Sequence, residues 1–271
     1  MPALAIDDIG LIAEAFPADE RIVLIGERAV EFWVSVLGIR NESSRFLEST
    51  IRGEAFRFLG PPRVAMALEQ TLGGLVRIAL VEDESSQVTA LVAGSSEGRK
   101  WAAQFQSGLC GFPHELLEEV RKSAMPVIVA PGRQLRLFAL HPVHCLREQL
   151  EETYGYPLGR RHEPNGECLL VHVDLAIEAC RRITRRHIDE GDVPAAMRII
   201  EALHRISVSP AALRARLSDG VQVESAMVDS DAFPKEFRRR RLRYLRRIHQ
   251  RKIHVYRRRF SHLMPCATAQ S

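Results

Sequence analysis

The sequence predicts an α+β fold, with a mixed sheet and its helices in the first half and helices alone in the second. Short apolar segments alternate with helical patterns up to about residue 140, and only helical periodicity follows. The opening pattern is an apolar strand, a glycine and a helix. Of the 271 residues, 46% are apolar and 27% are charged, which is typical of a globular chain with a sizeable core.

The first half is a series of predicted strands and helices. The apolar run 22–25 ends at Gly26 and indicates a buried strand, and helical spacing over 27–37 predicts a helix after it. Residues 56–60 alternate as a half-buried strand does, and Pro61-Pro62 favours a helix over 63–72. Further strands are predicted over 75–81, 87–92, 100–106, 126–129 and 135–140, with a helix over 114–122.

The second half is predicted to be helical over 142–152, 172–189, 192–206 and 210–217. The change of character near residues 141–150 predicts a boundary between domains. We therefore expect an α/β domain over 1–145, a helical domain over 146–234, and a basic helix with a tail over 235–271. No internal repeat is visible.

Composition excludes several classes of protein. No run approaches the roughly 18 to 20 apolar residues of a membrane span, and the acidic start does not resemble a secretory signal. The five cysteines are odd in number and irregularly spaced, which favours thiols in a reducing, cytoplasmic compartment. His141, His144 and Cys145 lie close together, but their spacing with Cys168 and His172 matches no closed zinc pattern. We expect no metal site there.

Charge is unevenly distributed along the chain. Residues 235–259 contain thirteen Lys or Arg and one Glu, a local charge of +12, whereas the whole chain carries +4. The remaining residues therefore sum to −8. Such a cationic segment is typical of a binder of phosphate backbones.

Four phrases resemble the minimal nucleotidyltransferase-like proteins of bacteria and their mobile elements, a branch of the polymerase-β-type nucleotidyltransferase superfamily. They are IGERA at 25–29, AFRFLG at 55–60, Gln104-Phe105 before LCGF at 109–112, and LHPVHCL at 140–146. In that family the corresponding elements are a strand ending in Gly-Gly or Gly-Ser, a strand with Asp-x-Asp, a third acidic strand, and the start of a helical half. The resemblance covers most of residues 20–200 and implies a nucleotidyltransferase-like sheet.

The chain differs from this family at the acidic positions that bind the catalytic metals. Nucleotidyl transfer needs clustered carboxylates that hold two divalent metals. The Asp-x-Asp positions are Ala55 and Arg57, the third acidic position is Gln104, and the second small residue of the phosphate-binding turn is Glu27. The resemblance thus implies a degenerate pocket formed by Gly26, Glu27, Ala55, Arg57 and Gln104, with no cofactor.

Two alternatives stay open at this pocket. A shifted acidic set of Glu27, Glu54 and Asp83 would rebuild a Mg²⁺ site and an active transferase, although these acids are more typical of solvated turns. Arg57, opposite the aromatic face of its strand, would bind a phosphate or carboxylate, or form a buried ion pair with a local acid such as Glu27. We expect His141 and His144 to fix the strand–helix junction rather than to act as bases.

Residues 237–260 carry the strongest chemical signal. Leu242, Leu245, His249, Ile253, Tyr256 and Phe260 recur at three- and four-residue intervals, which predicts one apolar stripe on a helix. Tyr244 and Tyr256 are candidates for stacking on unpaired bases. The predicted nucleic-acid-binding residues are Arg238, Arg239, Arg240, Arg241, Arg243, Arg246, Arg247, Arg251 and Lys252.

These patterns predict a non-catalytic protein with a nucleotidyltransferase-like fold that binds DNA or RNA through its basic helix, with a regulatory or mobile-element role. An active transferase with rearranged acids is the first alternative. The second is a protein-interaction module of a toxin–antitoxin or defence pair, with an acidic partner. The basic helix would otherwise dock on the acidic remainder of its own chain. A membrane-surface role is disfavoured, because the stripe is modest and lacks Trp.

Overall fold

The computed structural model describes residues 6–44, 55–78, 88–96, 99–130, 133–155 and 166–260. The chain divides into two compact units, Met1–Glu148 and Gln149–Ser271. The first unit contains a mixed sheet with helices, and the second is helical. The predicted α+β class is therefore confirmed.

The first unit alternates helices and strands much as the periodicity predicts. Its elements are α1 (Ile6–Glu14), β1 (Val23–Ile25), α2 (Gly26–Val36), β2 (Phe56–Leu59), α3 (Pro62–Leu72), β3 (Leu75–Ile78), β4 (Val88–Ser96), β5 (Arg99–Gln106), a short 3₁₀ turn (His114–Leu116), α4 (Leu117–Ser123), β6 (Met125–Ala130), β7 (Arg133–Ala139) and α5 (Pro142–Tyr154). Helix α5 begins in this unit and ends in the second. The segments expected to continue β3 and to begin β4, over 79–87, lie outside the described residues.

Across the described residues the sheet has seven strands, in the order β3-β4-β5-β2-β1-β7-β6. The β1–β7 and β2–β5 pairs are parallel, and the other pairs are antiparallel. Strand β2 thus lies between β1 and β5. In consequence Ile25, Arg57 and Gln104 are aligned in one cross-strand row.

Aromatic side chains form the core on one face of this sheet. Phe58 of β2 stacks on Phe105 of β5 with ring centroids 5.5 Å apart, and Phe16 meets Phe58 edge-on at 5.2 Å. Phe56 stacks on Phe58 at 6.3 Å and lies on the same face. Because side chains alternate along a strand, this packing directs Arg57 to the opposite face.

The start of α5 is a hydrogen-bonded junction. The Nδ1 of His141 accepts from the Val143 N–H at 3.3 Å, and the His141 carbonyl accepts from the His144 N–H at 2.8 Å. The Trp33 indole of α2 donates to the Leu140 carbonyl at 2.7 Å, which ties α2 to the same junction. The expectation that His141 fixes this strand–helix junction is confirmed, whereas His144 takes part in it through its backbone N–H.

The second unit is built from helices, two of which begin with a side-chain N-cap. They are α6 (Gly166–Asp189), α7 (Val193–Ser207), α8 (Pro210–Asp219), a 3₁₀ turn (Val223–Ala226), a π turn (Phe237–Leu242) and α9 (Arg243–Phe260). The Asp192 carboxylate accepts from Ala195 N–H at 3.1 Å and the Ser209 hydroxyl from Ala212 N–H at 3.2 Å. Each side chain satisfies a donor that the first helical turn leaves unpaired. Helix α6 begins six residues before the expected 172.

An apolar cluster fixes the basic segment to α7. Ala196 and Ile200 of α7 pack with four buried side chains from the following chain: Phe233, Phe237, Leu242 and Leu245. The structure therefore groups residues 235–260 with the preceding helices in one compact unit, whereas the sequence separates 235–271 as its own segment. Residues 261–271 lie outside the described part of the chain.

The π turn is a departure from the single continuous helix that the stripe predicts. Phe237 and Leu242 are both buried, at 6% and 7% exposure. Five residues apart on an α-helix, they would lie about 140° apart around the axis, and only one would face the core. The wider turn, which bonds residues five apart, brings both to the core.

The cysteines of the described ranges occur as thiols. No disulfide joins Cys110, Cys145, Cys168 and Cys180, and Cys266 lies outside those ranges. Cys180 is completely buried, and burial raises the pKa of its thiol. This site holds an inert packing residue rather than a reactive thiolate.

The packing of α9 on α7 through its apolar stripe can be tested by substituting single side chains with alanine. Leu245→Ala should lower the free energy of unfolding by about 2–5 kcal/mol, because it removes a buried side chain from the cluster. Val255→Ala, on an exposed position of the same helix, should change it by less than about 0.5 kcal/mol. Urea denaturation followed by circular dichroism measures both. Equal stability of the two variants would mean that α9 is not packed on α7.

Candidate functional site

The first candidate site lies where β1 passes into α2. Gly26 begins α2 with φ +69°, a left-handed conformation that favours glycine. A Cβ placed on Gly26 would lie 3.0 Å from Nη1 and 3.2 Å from Cδ of Arg57. The Arg57 side chain therefore lies directly against the backbone of this junction, and the absence of a side chain at residue 26 makes room for it.

Glu148 of α5 is the acid that meets Arg57 here. It is completely buried, with its Oε2 accepting from the Gly26 N–H at 3.0 Å and its Oε1 lying 3.4 Å from Arg57 Nη2. The Arg57 side chain retains 20% exposure. Arg57 is thus paired with an acid, as one of the two sequence hypotheses held, and the acid that the structure places beside it is Glu148.

This arrangement resembles an anion site filled from within the chain. Backbone N–H groups at a helix N-terminus attract anions, and phosphates are bound in this way. At Gly26 the anion is the Glu148 carboxylate, and the guanidinium of Arg57 adds a charge-assisted contact. We name Gly26, Arg57 and Glu148 the Arg57–Glu148 site.

The structure brings together part of the predicted degenerate pocket. Gly26 contacts Arg57, and Gln104 of β5 is the cross-strand neighbour of Arg57 on the same face. Ala55 precedes β2 and Glu27 lies in the first turn of α2, both partly buried. Gly26, Arg57 and Gln104 are therefore neighbours, and the last two are an arginine and an amide.

The Arg57–Glu148 site offers few side chains that could ligate a metal ion. Both oxygens of Glu148 are engaged, one by a backbone N–H and one by a guanidinium. Across the described ranges no three His, Cys, Asp or Glu side chains are grouped as metal ligands would be. Glu54 and Asp83 of the alternative acidic set lie outside those ranges, whereas Glu27 lies on α2.

His144 is unsuited to serve as a base for this site at neutral pH. Burial, with a smaller effect from the charge of Arg147, lowers the pKa of His144 to about 4. The His144 ring packs edge-on against the Phe112 ring, with centroids 5.6 Å apart. The Arg147 guanidinium lies 4.4 Å from the centre of the Phe112 ring. This histidine is a neutral packing residue of α5.

Sequence reasoning missed Glu148. Its only signal is a position three residues after Cys145 and two after Leu146, among side chains that α5 buries on nearly all sides. A carboxylate at a fully buried helix position is rare unless it is paired. That rule becomes useful only once burial is known.

The second candidate site is the basic segment formed by the π turn and α9. Its apolar stripe is buried at Leu242, Leu245 and His249 and partly buried at Ile253 and Tyr256. The cations face away from the stripe: Arg239, Arg240, Arg241, Arg243, Arg246, Arg247, Arg251 and Lys252 are exposed, and Arg238 is partly exposed. None of the helices that the structure describes is long and apolar enough to cross a membrane.

Four of these cations form ion pairs within the helical unit. Arg240 and Arg241 each lie 2.8 Å from a carboxylate, of Glu236 and Glu201 respectively. Arg246 lies 3.3 Å from Asp229, and Arg238 pairs with Asp231. All four pairs are on the surface, where such contacts contribute about 0–1 kcal/mol.

A further group of cations has no such partner. Within the described part of the chain, the following side chains lie within 4.0 Å of no carboxylate: Arg239, Arg243, Arg247, Arg251, Lys252 and Arg257. Arg243, Arg247 and Arg251 are spaced four residues apart and form a row along one face of α9. The helix is 18 residues long, so the row lies on a rod of about 27 Å.

Two histidines sit under the basic helix. His249 of α9 and His204 of α7 are buried, with ring centroids 6.4 Å apart. The pKa of His204 is lowered to about 4, mainly by burial and then by the neighbouring His249, Arg241 and Lys252. The pKa of His249 is also lowered, by burial and by the charge of Arg216. Both rings are therefore neutral at pH 7 and add to the packing rather than to the cationic surface.

Comparisons with known proteins return nothing. No protein-family model matches the chain, and neither the curated proteins nor the solved structures contain a match.

The Arg57–Glu148 pair can be tested by a double-mutant cycle. Glu148→Ala should lower the free energy of unfolding by about 3–5 kcal/mol, because it removes the carboxylate from the Gly26 N–H and from a largely buried guanidinium. Adding Arg57→Met should cost less in that background than in the wild type. Denaturant titration of the single and double variants gives the coupling energy.

A surface pair of the same unit is the matched control. Glu118→Ala removes the partner of Arg121 at 3.0 Å, where the glutamate is 69% exposed, and should cost less than about 1 kcal/mol. Strict additivity of Glu148→Ala and Arg57→Met would contradict a direct interaction between the two groups.

Proposed function

We propose that this protein is a non-catalytic, nucleotidyltransferase-like protein that binds nucleic acid through its basic helix. The observation that carries the proposal is the group of exposed cations on the π turn and α9 with no acidic neighbour in the described chain. Phosphate backbones are bound by such arrays, mainly through release of condensed counterions. A cytoplasmic location belongs to the same proposal and is suggested by the irregular cysteines.

The framework part of the proposal is supported by the sheet. A buried strand runs into Gly26 and a helix, and the next strand lies beside it, with Arg57 and then Gln104 in the same row. The His141-Pro142 junction opens the helix that leads to the helical unit. These are the positions at which the resemblance places the turn, the acidic strands and the start of the helical half.

The absence of catalysis is proposed because the Glu148 carboxylate already occupies the junction between β1 and α2. A triphosphate at the Gly26 N–H would have to displace the Glu148 carboxylate, which is buried and engaged by two donors. Arg57 would repel a divalent metal placed beside it. Two-metal catalysis needs the opposite arrangement, with carboxylates left open towards the metals.

Ion pairs with acids of the same chain do not explain the number of cations on the basic helix. The apolar stripe attaches α9 to α7, and the surface ion pairs involve Asp231, Glu236, Glu201 and Asp229 but leave six cations unpaired in the described region. Repulsion among these cations destabilises the helix unless an anion lies along it. A long, regularly charged polyanion suits a straight cationic row better than a short acidic patch does.

Absence of catalysis is a direct prediction. Purified protein incubated with labelled nucleoside triphosphates, Mg²⁺ or Mn²⁺, and tRNA or cell protein should incorporate no label, because the family's acids are replaced at Ala55, Arg57 and Gln104. Scintillation counting of precipitated product measures it. Incorporation that disappears in Glu54→Ala or Asp83→Ala would instead establish the alternative acidic site.

Salt dependence tests the basic helix. A helix of this length reaches about four to six phosphates, and log affinity should fall with log salt at about −0.9 per contact on duplex DNA or −0.7 on single strands. Changing Arg239, Arg243, Arg246 and Arg247 to alanine should flatten this slope by about two to four units. Fluorescence anisotropy at several salt concentrations, starting near 50 mM, measures the slope.

A charge-matched variant separates local contact from overall charge. The control replaces four exposed arginines of α6 and α7 by alanine, namely Arg185, Arg186, Arg198 and Arg205. It should leave the slope within about one unit of the wild type. Absence of wild-type binding at low salt, or equal loss in both quadruple variants, would remove nucleic acid as the partner of this helix.

A further inference from the structure

A groove lies beside the π turn of the helical unit. Its volume is about 500 Å³, which falls within the range of small-molecule binding sites. Met197 of α7, Pro234 and Phe237 supply its apolar lining. The π turn contributes directly to this groove, and such turns are frequent at functional sites.

The remaining lining is aromatic and cationic. Tyr244 is 55% exposed, which is unusual for a large aromatic side chain next to a packed cluster. Arg240 and Arg241 line the groove with it, and their side chains are 83% and 47% exposed. The groove therefore combines an apolar lining, a phenol ring and two guanidinium groups.

We propose that this groove binds an unpaired nucleobase, stacked on Tyr244, with the neighbouring phosphates on Arg240 and Arg241. The inference rests on the proposed function and narrows its partner to single-stranded nucleic acid. A planar, apolar ring attached to an anionic backbone matches each part of the lining. Stacking of bases on aromatic side chains beside a cationic track is the general mode of single-strand binding.

The ion pairs at the groove do not prevent this binding. Arg240 pairs with Glu236 and Arg241 with Glu201, but all four side chains are substantially exposed. Such pairs are weak, and an arginine can exchange a carboxylate for a phosphate with similar geometry. Glu236 also lines the groove, and its place beside Arg240 limits its repulsion of an incoming phosphate.

Duplex DNA would not use this groove. Bases in a duplex are stacked on one another, so only the phosphates and the groove edges are accessible to a straight helix. A duplex would thus engage the row of arginines on α9 and leave Tyr244 without a function. A single strand can satisfy the cationic row and the groove at once.

The experiment measures the affinity of the full chain for three probes at one salt concentration. They are a short deoxythymidine oligonucleotide, an abasic oligonucleotide of the same length, and a duplex with the same number of base pairs. The single strand with bases should bind about tenfold more tightly than the abasic strand. Because both strands carry the same phosphates, the difference reports the bases alone.

Tyr244→Ala should lower affinity for the oligonucleotide roughly tenfold, to that of the abasic strand, and leave the affinities for the abasic strand and the duplex within about twofold. Tyr244→Phe, which keeps the ring, should retain the affinity. Val255→Ala, equally exposed on the same helix but outside the groove, is the matched control. Thermal melting of each variant checks that the fold is intact.

The outcomes separate this inference from the proposed function. Salt-dependent binding with equal affinity for the base-containing and abasic strands would overturn the nucleobase groove and leave the phosphate-binding helix standing. A Tyr244→Ala loss of the same size on all three probes would also overturn it. Failure to bind any of the three probes would reject the proposed function itself. Tight Tyr244-dependent binding of polyglutamate, added as a fourth probe, would overturn the nucleobase groove and assign it to an acidic peptide.

Discussion

The buried Glu148 carboxylate is the constraint on which the described part of the first unit depends. Burying a carboxylate costs several kcal/mol, and the structure offsets this cost with the Gly26 N–H and the Arg57 guanidinium. Each partner imposes its own condition. Residue 26 must lack a side chain so that Arg57 can lie against it, and β2 must present Arg57 on the face opposite its phenylalanines. The carboxylate thereby fixes the relative placement of α2, β2 and the start of α5.

The same constraint determines the chemistry of the junction. A helix N-terminus beside a glycine would accept a phosphate, and a neighbouring strand with acids would accept metals. Here an internal carboxylate takes the first position and a cation takes the second. The charges of this site are therefore inverted relative to a two-metal site, and they neutralise each other within the chain.

Periodicity alone could predict most of the elements and the face on which Arg57 lies. The alternation of residues 56–60 directed Phe56 and Phe58 one way and Arg57 the other, because strand geometry leaves no other choice. The partner of Arg57 was not predictable in this way. Glu148 is 91 residues away and reaches Arg57 only through the packing of α5, which no local pattern encodes.

The π turn was unpredictable for a different reason. Phe237 and Leu242 are five residues apart, a spacing that fits neither the three- and four-residue intervals of the helical stripe nor the alternation of a strand. The cluster of Ala196, Ile200 and Phe233 buries both side chains only if the backbone widens between them. Competition between a local helical preference and tertiary burial is thus resolved in favour of burial.

The π turn connects the packing of the helical unit to its surface. The residues between Phe237 and Leu242 are four arginines, which the widened turn carries outward while its two ends are held in the core. Arg240 and Arg241 consequently lie beside Tyr244 and the apolar lining from Met197 and Pro234. A regular α-helix would have turned either Phe237 or Leu242 away from the core and changed the position of the arginines between them. The backbone irregularity that satisfies the core is therefore also what assembles cations, an aromatic ring and an apolar groove at one place.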